Sequence, residues 1–388
     1  MGKRVGMEVA IAAAEAAALC KFDVASVYPI TPQSHVAEHL ADIVNDGRVD
    51  ASFITVESEH SALSSAMGAS ATGTRVVTAT SSQGLLYMGE VMPITSSMRL
   101  PIVMLIANRA ISGPINIWND HSDIMPMRDT GWISFFAENG QEVVDMTIQA
   151  FRVGEDRRVM LPVNVNMDGF QLTHMVEPIF FPDQEEVDRF LPEYVPYATL
   201  HPDRPVSMGT LGMPEIYAEA QKAKDVAVVN SIKVVKEVWK EWEKLFGRKY
   251  EPIQSYRTRD ADVALVTMGS MGETAEIAVD ALRKQGVKAG LLKIKLWRPF
   301  PFAELKKAVK GIRVLAVTDR ACSFGGPGGP VCSEIRSALY EESVRPAIVN
   351  YLIGLGGRDV QAEDFMEMVR RAAKGKLSEP YEFYGVRG

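Results

Sequence analysis

The first part of the chain alternates short runs of apolar, β-branched residues with longer segments of helical periodicity. Continuous apolar strands separated by helices are typical of a parallel sheet that helices cover on both faces. Helices are predicted over residues 7–20, 33–46, 59–72, 83–98 and 140–154. Strands are predicted over residues 24–28, 52–56, 75–81, 101–107 and 158–166. We therefore expect an α/β domain over residues 1–170.

The pattern changes over residues 171–258, where proline-rich sequence precedes a charged helical stretch that ends at Gly247. Trp239 and Trp242 lie three positions apart in this stretch, so they share a packing face of the predicted helix. Strands and helices alternate again over residues 259–388. The sequence thus predicts an α/β fold with two parallel-sheet domains joined by a helical linker.

Charge and length narrow the possible functions. The chain has 388 residues and a formal net charge of −7, so it has no general attraction for nucleic acid or anionic membranes. No apolar run of about 18 residues predicts a membrane span, and we expect a cytoplasmic protein. Its three cysteines, Cys20, Cys322 and Cys332, form no CxxC pair, and an iron–sulfur cluster requires about four thiolates. The histidines form no HExxH pattern, so no metal ligands are assigned.

Candidate ligand-binding residues follow the predicted strands, because ligands of open parallel sheets bind beyond the carboxyl ends of the strands. Thr31 lies between two prolines after the first strand. It is either the N-cap of the next helix or a site for a small anion. Glu57 and Glu59 follow the second strand, where they either compensate a helix dipole or hold a ligand nitrogen.

Two further segments also follow predicted strands. Ser82 and Gln83 open a helix with small neighbours that permit a ligand to approach closely. Arg109 follows the strand at 101–107, and its planar guanidinium matches a carboxylate, although a structural ion pair is the alternative. The acidic run at 119–123 matches no metal-ligand spacing, and the glycine-rich loop at 324–329 favours a structural turn. Walker, dinucleotide-binding and GxSxG motifs are missing from the sequence.

Together these segments resemble one family, the thiamine diphosphate-dependent 2-oxoacid:ferredoxin oxidoreductases, and within it the α subunit of pyruvate:ferredoxin oxidoreductases. The matching segments occur in order over nearly the whole chain: YPITPQS at 28–34, SEH at 58–60, TATSSQGLLYM at 78–88, NRAISGPINIWNDHSD at 108–123 and LWRPFP at 296–301. The resemblance implies a pyrimidine-binding thiamine diphosphate domain over 1–170, a linker over 171–258 and a transketolase C-terminal-like domain over 259–388.

The resemblance also implies oxidative decarboxylation of a 2-oxoacid to acyl-CoA and carbon dioxide, with electrons passed to ferredoxin. A β subunit would hold the Mg²⁺-bound diphosphate end of the cofactor. Subunits of the γ and δ type would carry the 4Fe–4S clusters, and coenzyme A would be the co-substrate. This chain has no GDG motif for Mg²⁺-diphosphate, so it would form half of an active site.

The residue roles implied by the resemblance are specific. Glu59 would bind the aminopyrimidine ring as a catalytic residue, with Glu57 as the nearby alternative. Thr31 and Arg109 would bind the substrate carboxylate and the neighbouring oxygen and act in catalysis. The expected cofactor contacts are Pro29, Ile30, Ser82 and Gln83, besides Glu59.

Other functions remain open on the sequence alone. Thr31 fits the pyruvate-type pattern, but relatives that use a branched-chain 2-oxoacid, 2-oxoglutarate or oxalate share much of this scaffold. A non-catalytic scaffold subunit and a transketolase-like carbon-transfer enzyme are the alternatives of a different class.

Overall fold

Two mainly parallel sheets with helices on their faces organise the chain. A computed structural model describes residues 2–375 and 379–387. Its strands, in chain order, are β1 Lys3–Glu8, β2 Val24–Val27, β3 Ser52–Thr55, β4 Val76–Thr80, β5 Ile102–Asn108, β6 Ile133–Phe136, β7 Val163–Asp168, β8 Val176–Phe181, β9 Ile253–Tyr256, β10 Val263–Met268, β11 Ala289–Ile294, β12 Leu296–Arg298, β13 Val314–Asp319, β14 Ala347–Leu352 and β15 Glu382–Phe383.

Helices connect most of these strands. The α-helices are α1 Val9–Leu19, α2 Ser34–Asn45, α3 Glu59–Ala71, α4 Ser82–Tyr87, α5 Val91–Ser97, α6 Gly140–Gly154, α7 Gln184–Phe190, α8 Pro214–Phe246, α9 Met271–Lys284, α10 Phe302–Ala308, α11 Pro330–Leu339 and α12 Ala362–Ala373. Two short 3₁₀ helices lie at Met125–Met127 and Leu355–Gly357. Within the described ranges, no helix has the length and apolar content needed to cross a membrane.

The first sheet has seven strands in the order β12-β6-β7-β5-β4-β2-β3. Its strands run parallel except β12, which is antiparallel to β6. The second sheet has six strands in the order β15-β14-β13-β10-β11-β9, of which β9 is antiparallel to β11. An antiparallel pair, β1 with β8, lies apart from both. The predicted α/β class with two parallel-sheet units is confirmed.

Both sheets share part of their packing. Helices α1, α2, α6 and α8 cover one face of the first sheet. The other face forms a single buried cluster with side chains of the second sheet, which brings together residues such as Ile106, Trp132 and Leu315. This shared core fixes the strand ends of one unit relative to the other.

Helix α8 is longer than the charged stretch predicted from its sequence, because it begins at Pro214 and continues to Phe246. Gly247 ends it in the left-handed conformation, with φ +73°. The prediction for Trp239 and Trp242 is confirmed, since both side chains are fully buried. The Trp242 indole N–H donates to Asp145 at 3.1 Å, so the helix is anchored to α6 of the first unit.

Several predicted elements differ in the structure. In the LWRPFP segment, Leu296–Arg298 forms the edge strand β12 beside β6, which the sequence does not predict. The helix predicted over 83–98 is broken into α4 and α5 at Gly89, where the Leu86 carbonyl and Met127 leave little room for a side chain. Strands β1, β6 and β8 were not predicted. The boundaries at 170 and 258 stay a prediction, since β9 begins before 258 and β12 joins the first sheet.

Candidate active site

The candidate residues lie at the carboxyl ends of the parallel strands of the first sheet. β2 and β4 are neighbours in this sheet although β3 lies between them in sequence. The chain therefore reverses its direction of winding at this point, which opens a crevice beyond the strand ends. The segments that follow β2, β3, β4 and β5 carry all the residues predicted from the sequence.

Glu59 is the first residue of α3 and is 9% exposed. The hydroxyl of the N-cap residue Ser58 accepts from the Ser61 backbone N–H at 3.1 Å, which fixes the start of this helix. Within the described part of the chain, no group donates a hydrogen bond to the Glu59 carboxylate. This carboxylate is thus nearly buried and still available to a ligand.

Gly84 provides the space that the Glu59 carboxylate uses. A Cβ atom at position 84 would lie 2.6 Å from Glu59 Oε1 and 2.6 Å from Thr80 Oγ1. The Thr80 hydroxyl is buried and has no hydrogen-bond partner in the residues described. The Glu59 carboxylate and the Thr80 hydroxyl therefore both pack against Gly84, and neither has a hydrogen-bond partner among the described residues.

Glu57, the alternative to Glu59, is placed differently. Its side chain is exposed, and its carboxylate accepts from the Ser61 hydroxyl at 3.0 Å. Its surroundings are those of a solvated residue at a helix start. Of the two acidic residues, only Glu59 lies in the buried space beside Gly84.

Asp123 joins the ends of β4 and β5. Its buried carboxylate accepts from the backbone N–H groups of Ser82 at 3.0 Å, Arg109 at 2.9 Å and Ile124 at 2.8 Å, and from the Asn108 amide at 3.1 Å. Burial raises the pKa of Asp123 to about 7, although these four donors favour its charged form. Asp123 therefore sets the position of two predicted site residues through their backbones.

Arg109 is 7% exposed, and its partners are carbonyl groups rather than a carboxylate. Nη1 donates to the Thr31 carbonyl at 2.8 Å, and Nε donates to the Asn116 carbonyl at 2.9 Å. Burial lowers the pKa of Arg109, and the nearby Asp123 opposes this shift. Nη2 has no partner among the residues that the structure describes. The guanidinium is thus held in place with one nitrogen free for an anion.

The segment after β2 crosses the strand ends. Thr31 is exposed, and the N-cap alternative for it is wrong, because α2 begins at Ser34 and helical backbone angles already start at Gln33. The Gln33 N–H donates to the Ile30 carbonyl at 2.8 Å, which closes a tight turn around Thr31. Pro29 is exposed and Ile30 is half-buried at the start of this turn.

Ser82 and Gln83 follow β4 at the same edge. Ser82 has a left-handed backbone, with φ +48°, and its hydroxyl lies 2.7 Å from the Ala110 carbonyl and 2.6 Å from Gln83 Oε1. Gln83 is half-buried. The structure thus brings Ser82 close to the segment after β5, and its side chain already has protein partners.

A second buried cluster, not predicted from the sequence, links this edge to the second sheet. Asp168, at the end of β7, contacts His121 at 2.9 Å, the Ser270 N–H at 2.8 Å and Arg320 at 2.5 Å. Burial acts to raise the pKa of Asp168, but Arg320 and His121 outweigh it and hold the pKa well below its usual range. These partners are too far apart in sequence for a motif to connect them.

The loop after β5 also contacts the second unit. The Asn116 amide donates to the Gly356 carbonyl at 3.1 Å, and Asp120 accepts from the Gly356 N–H at 3.0 Å. Gly357 has φ +80°, and a Cβ there would lie 2.4 Å from the Trp118 Cβ. The loop that orients Arg109 is therefore held by both units.

Comparison with known protein families identifies this arrangement. Residues 15–240 match the family model described as pyruvate flavodoxin/ferredoxin oxidoreductase, thiamine diphosphate-binding. Residues 261–365 match the model described as pyruvate:ferredoxin oxidoreductase core domain II. The chain belongs to the pyruvate:ferredoxin oxidoreductase family. The family predicted from the sequence segments is confirmed, as is a domain of the thiamine diphosphate-binding type.

Curated relatives of this pyruvate:ferredoxin oxidoreductase family member match over nearly their whole length. The pyruvate synthase subunit PorA of Pyrococcus abyssi is 48% identical, over 99% of this chain and 98% of the relative. The subunit of the same name from Thermotoga maritima is 45% identical, over 99% and 100%. The ketoisovalerate oxidoreductase subunit VorA of Pyrococcus horikoshii is 41% identical, over 97% and 96%.

Solved structures agree on the fold of this family member. A 2-oxoglutarate:ferredoxin oxidoreductase from Magnetococcus marinus, solved with 2-oxoglutarate, coenzyme A and succinyl-CoA bound, superposes with a TM-score of 0.70 at 19% identity. That match covers 96% of this chain and 65% of the solved chain. A split-gene transketolase, an inactive β4 tetramer, superposes with a TM-score of 0.55 at 14% identity, over 95% and 99% of the two chains.

Proposed function

We propose that this chain is the α subunit of a pyruvate:ferredoxin oxidoreductase. The complex would decarboxylate pyruvate oxidatively to acyl-CoA and carbon dioxide and pass the electrons to ferredoxin. Similarity at 45–48% identity over almost the whole chain to subunits named pyruvate synthase supports this substrate. The observation that carries the proposal is the nearly buried Glu59 carboxylate, which has no donor among the described residues and faces the space at Gly84.

The residues at this space fit the pyrimidine end of thiamine diphosphate. An aminopyrimidine offers hydrogen-bond donors, and the Glu59 carboxylate is a matching acceptor that has no protein partner among the described residues. Glu59 would hydrogen-bond the ring nitrogen of the bound cofactor and so favour its imino tautomer. Pro29, Ile30 and the backbone at Ser82 and Gln83 line the same edge. When bound, the cofactor supplies the nucleophile for attack on the 2-oxo carbon.

Arg109 and Thr31 bind the substrate in this proposal. The free Nη2 of Arg109 pairs with the substrate carboxylate, while the Thr31 and Asn116 carbonyls hold the guanidinium in a fixed orientation. The exposed Thr31 hydroxyl donates to the neighbouring 2-oxo oxygen. Both residues act by positioning the substrate for bond cleavage rather than by proton transfer.

The proposal includes partner subunits. A β subunit holds the diphosphate end with Mg²⁺, and γ- and δ-type subunits carry the 4Fe–4S clusters. The state of the cysteines in this chain supports the second point. Cys20 and Cys332 are buried, and burial raises the pKa of both thiols, that of Cys332 to about 12. Neither thiol is suited to bind a cluster as thiolate. Coenzyme A as co-substrate, ferredoxin as acceptor and a cytoplasmic location complete the proposal.

The proposal keeps the division into a pyrimidine-binding domain at 1–170, a linker at 171–258 and a transketolase C-terminal-like domain at 259–388. Two separate parallel sheets support this division. Strand β12 belongs in sequence to the second domain, but it pairs with β6 at the edge of the first sheet. The two domains therefore share this edge. The contact between Arg320 and Asp168 also joins the two domains.

A branched-chain 2-oxoacid is the second candidate substrate. It is supported by the 41% identity to the ketoisovalerate oxidoreductase subunit, which is lower than that to the pyruvate synthase subunits. The scaffold hypothesis is weaker, because a pure scaffold gives no reason to bury the unpaired Glu59 carboxylate.

The test uses the complex purified with its native partners. Coenzyme A-dependent reduction of a viologen dye is measured with pyruvate, 2-oxoisovalerate, 2-oxoglutarate and oxalate. The same assay is run on Glu59→Gln and on Glu57→Gln, a matched control two residues away with an exposed side chain. We expect activity with pyruvate and a loss of at least about a hundredfold in Glu59→Gln, because a general acid–base contributes about that much. Glu57→Gln should keep the wild-type rate.

Each other outcome points to a different conclusion. Preference for 2-oxoisovalerate with the same loss in Glu59→Gln would replace pyruvate by the branched-chain acid. Full activity of Glu59→Gln would remove Glu59 from the reaction. Inactivity with all four acids in a complex that contains thiamine diphosphate would favour a scaffold or a carbon-transfer enzyme.

A further inference from the structure

Glu8, His35 and His174 form a cluster of metal-ligating side chains, termed here the His–His–Glu cluster. One ligand atom from each of the three lies within 4.8 Å of the others. His35 Nδ1 is 2.5 Å from Glu8 Oε1, and the two imidazole rings stack with centroids 4.7 Å apart. The three residues come from the end of β1, the first turn of α2 and the segment after β7, so no spacing motif in the sequence indicates the cluster.

The ligand atoms of the His–His–Glu cluster favour a particular class of ion. Two imidazoles and one carboxylate suit Zn²⁺ and related divalent transition ions, whereas Mg²⁺ and Ca²⁺ prefer oxygen ligands. Zinc bonds of about 2.0–2.2 Å separate tetrahedral ligand atoms by about 3.4 Å, so small side-chain rotations suffice to close the cluster around an ion. All three side chains are only partly buried, which leaves a fourth position open to water.

The neighbours of the cluster hold two of the three ligands in place. The Val9 N–H donates to the Met175 carbonyl at 3.0 Å, and the Ala10 N–H donates to the Thr173 carbonyl at 2.9 Å. These bonds tie the backbone next to Glu8 to the backbone next to His174. A ligand pair fixed by the backbone loses little entropy when it binds an ion.

The His174 ring is oriented as a metal ligand requires. The Thr173 hydroxyl contacts its Nδ1 at 2.8 Å, which leaves Nε2 as the free nitrogen. Phe170 packs on the same ring with centroids 4.5 Å apart.

We propose that Glu8, His35 and His174 bind one zinc-class divalent ion with water as the fourth ligand. The ion cross-links β1, the start of α2 and the segment that follows β7. His35 lies four residues after Thr31, so the ion also braces the segment that crosses the candidate active site. The site is separate from the proposed function and does not depend on it.

The chain contains a matched control for this proposal. His39 lies one turn after His35 on α2, and its Nε2 contacts Glu15 Oε1 at 2.6 Å. Glu15 also accepts from the Arg48 guanidinium, and the described residues place no second histidine beside this pair. His39→Ala therefore removes the same chemistry from the same helix without touching the His–His–Glu cluster.

The experiment uses the full chain after treatment with a chelator. The protein is equilibrated with zinc chloride, desalted and analysed for zinc by mass spectrometry, and X-ray absorption identifies the ligand atoms. We expect one zinc per wild-type chain with imidazole ligation. Glu8→Gln and His174→Ala should each weaken binding by at least about tenfold, since loss of a ligand exceeds the effect of losing its supporting partner. His39→Ala should bind as the wild type does.

Folding of each variant is checked by circular dichroism and by its unfolding midpoint without zinc. Glu8→Gln nearly preserves the shape of the side chain, so it remains informative if His174→Ala does not fold. A wild-type chain that retains no zinc overturns the proposal. Zinc that is retained equally by both cluster variants, or lost to the same extent in His39→Ala, places the ion elsewhere and overturns it as well.

Discussion

Asp123 and Glu59 are two carboxylates at the same edge of the first sheet, and the structure treats them in opposite ways. Both are buried, Asp123 fully and Glu59 with 9% of its surface exposed. Asp123 accepts hydrogen bonds from three backbone N–H groups and one amide. Glu59 accepts none from the described residues. The number of donors distinguishes them more than the depth of burial does.

This difference separates residues that hold the backbone of the site in place from residues that are available to a ligand. A buried carboxylate with several donors fixes the backbone around it, as Asp123 does for the ends of β4 and β5. A nearly buried carboxylate without donors is unfavourable for the fold alone, because it has lost water and gained no partner. Such a group is expected at a functional site, where a ligand supplies the missing hydrogen bond.

Conversion of each carboxylate to its amide is the most direct test of whether Asp123 and Glu59 have different roles. In Asp123→Asn one carboxylate oxygen becomes an NH2 group, which can no longer accept from the donors that face it. We therefore expect the free energy of unfolding to fall by about 2–4 kcal/mol. Glu59→Gln disturbs no hydrogen bond within the described residues, and we expect a change within about 1 kcal/mol. Urea unfolding of the two variants and the wild type at neutral pH measures both values.

Equal losses of stability in the two variants would contradict this comparison. If Glu59→Gln lost as much stability as Asp123→Asn, Glu59 would also be a structural carboxylate. The proposed cofactor contact would then lose its physical basis.

The sequence predicted those parts of the fold that depend on local patterns. Runs such as 101–107 are apolar throughout because central strands are covered on both faces, and β5 is indeed buried along its whole length. The edge strand β12 could not be predicted, because its three residues form a strand only through pairing with β6 of the other unit. Strand β1 pairs with β8 over a long sequence separation, and its charged KRVGME sequence has no strand pattern.

The candidate site shows the same limit. Glu59, Thr31 and Arg109 could be named because each directly follows a predicted strand. Asp123 could not, because its partners Ser82 and Arg109 lie 41 and 14 residues away in sequence. Tertiary structure decides which groups donate hydrogen bonds to a buried carboxylate. Only the structure therefore reveals which acidic residue has several donors and which has none among the described residues.

The space around Glu59 gives the next test. In Gly84→Ala the new methyl group would lie 2.6 Å from Glu59 Oε1, so the carboxylate must move. We expect the viologen-reduction rate of the complex at limiting thiamine diphosphate to fall by at least about tenfold, since misplacement of a site group by about 1 Å has effects of this size.

Gly68→Ala on α3 is the matched control, because nothing lies within 4 Å of a Cβ at position 68. This variant should keep the wild-type rate and gain about 0.5–1 kcal/mol of stability from its better helix propensity. Equal rates in Gly84→Ala and Gly68→Ala would mean that the Glu59 carboxylate does not need its present position.

The smallest expected effect concerns the pH dependence of Asp123. Its pKa is about 7 in the folded protein, above the ordinary value near 3.8 that applies to the unfolded chain. The folded state therefore binds a proton below about pH 7 that the unfolded state does not, and stability rises as the pH falls from about 8 to 6 by about 1 kcal/mol.

Urea unfolding at several pH values measures this contribution as the difference between the wild type and Asp123→Asn, which lacks the titrating group. We expect the difference to widen as the pH falls through about 7, and Gly68→Ala, which keeps Asp123, to follow the wild type. A difference that stays constant over this range would mean that the four donors outweigh burial and keep Asp123 charged. Asp123 would then resemble Asp168, whose pKa Arg320 and His121 hold low against burial, and the ends of β4 and β5 would be joined through a charged carboxylate.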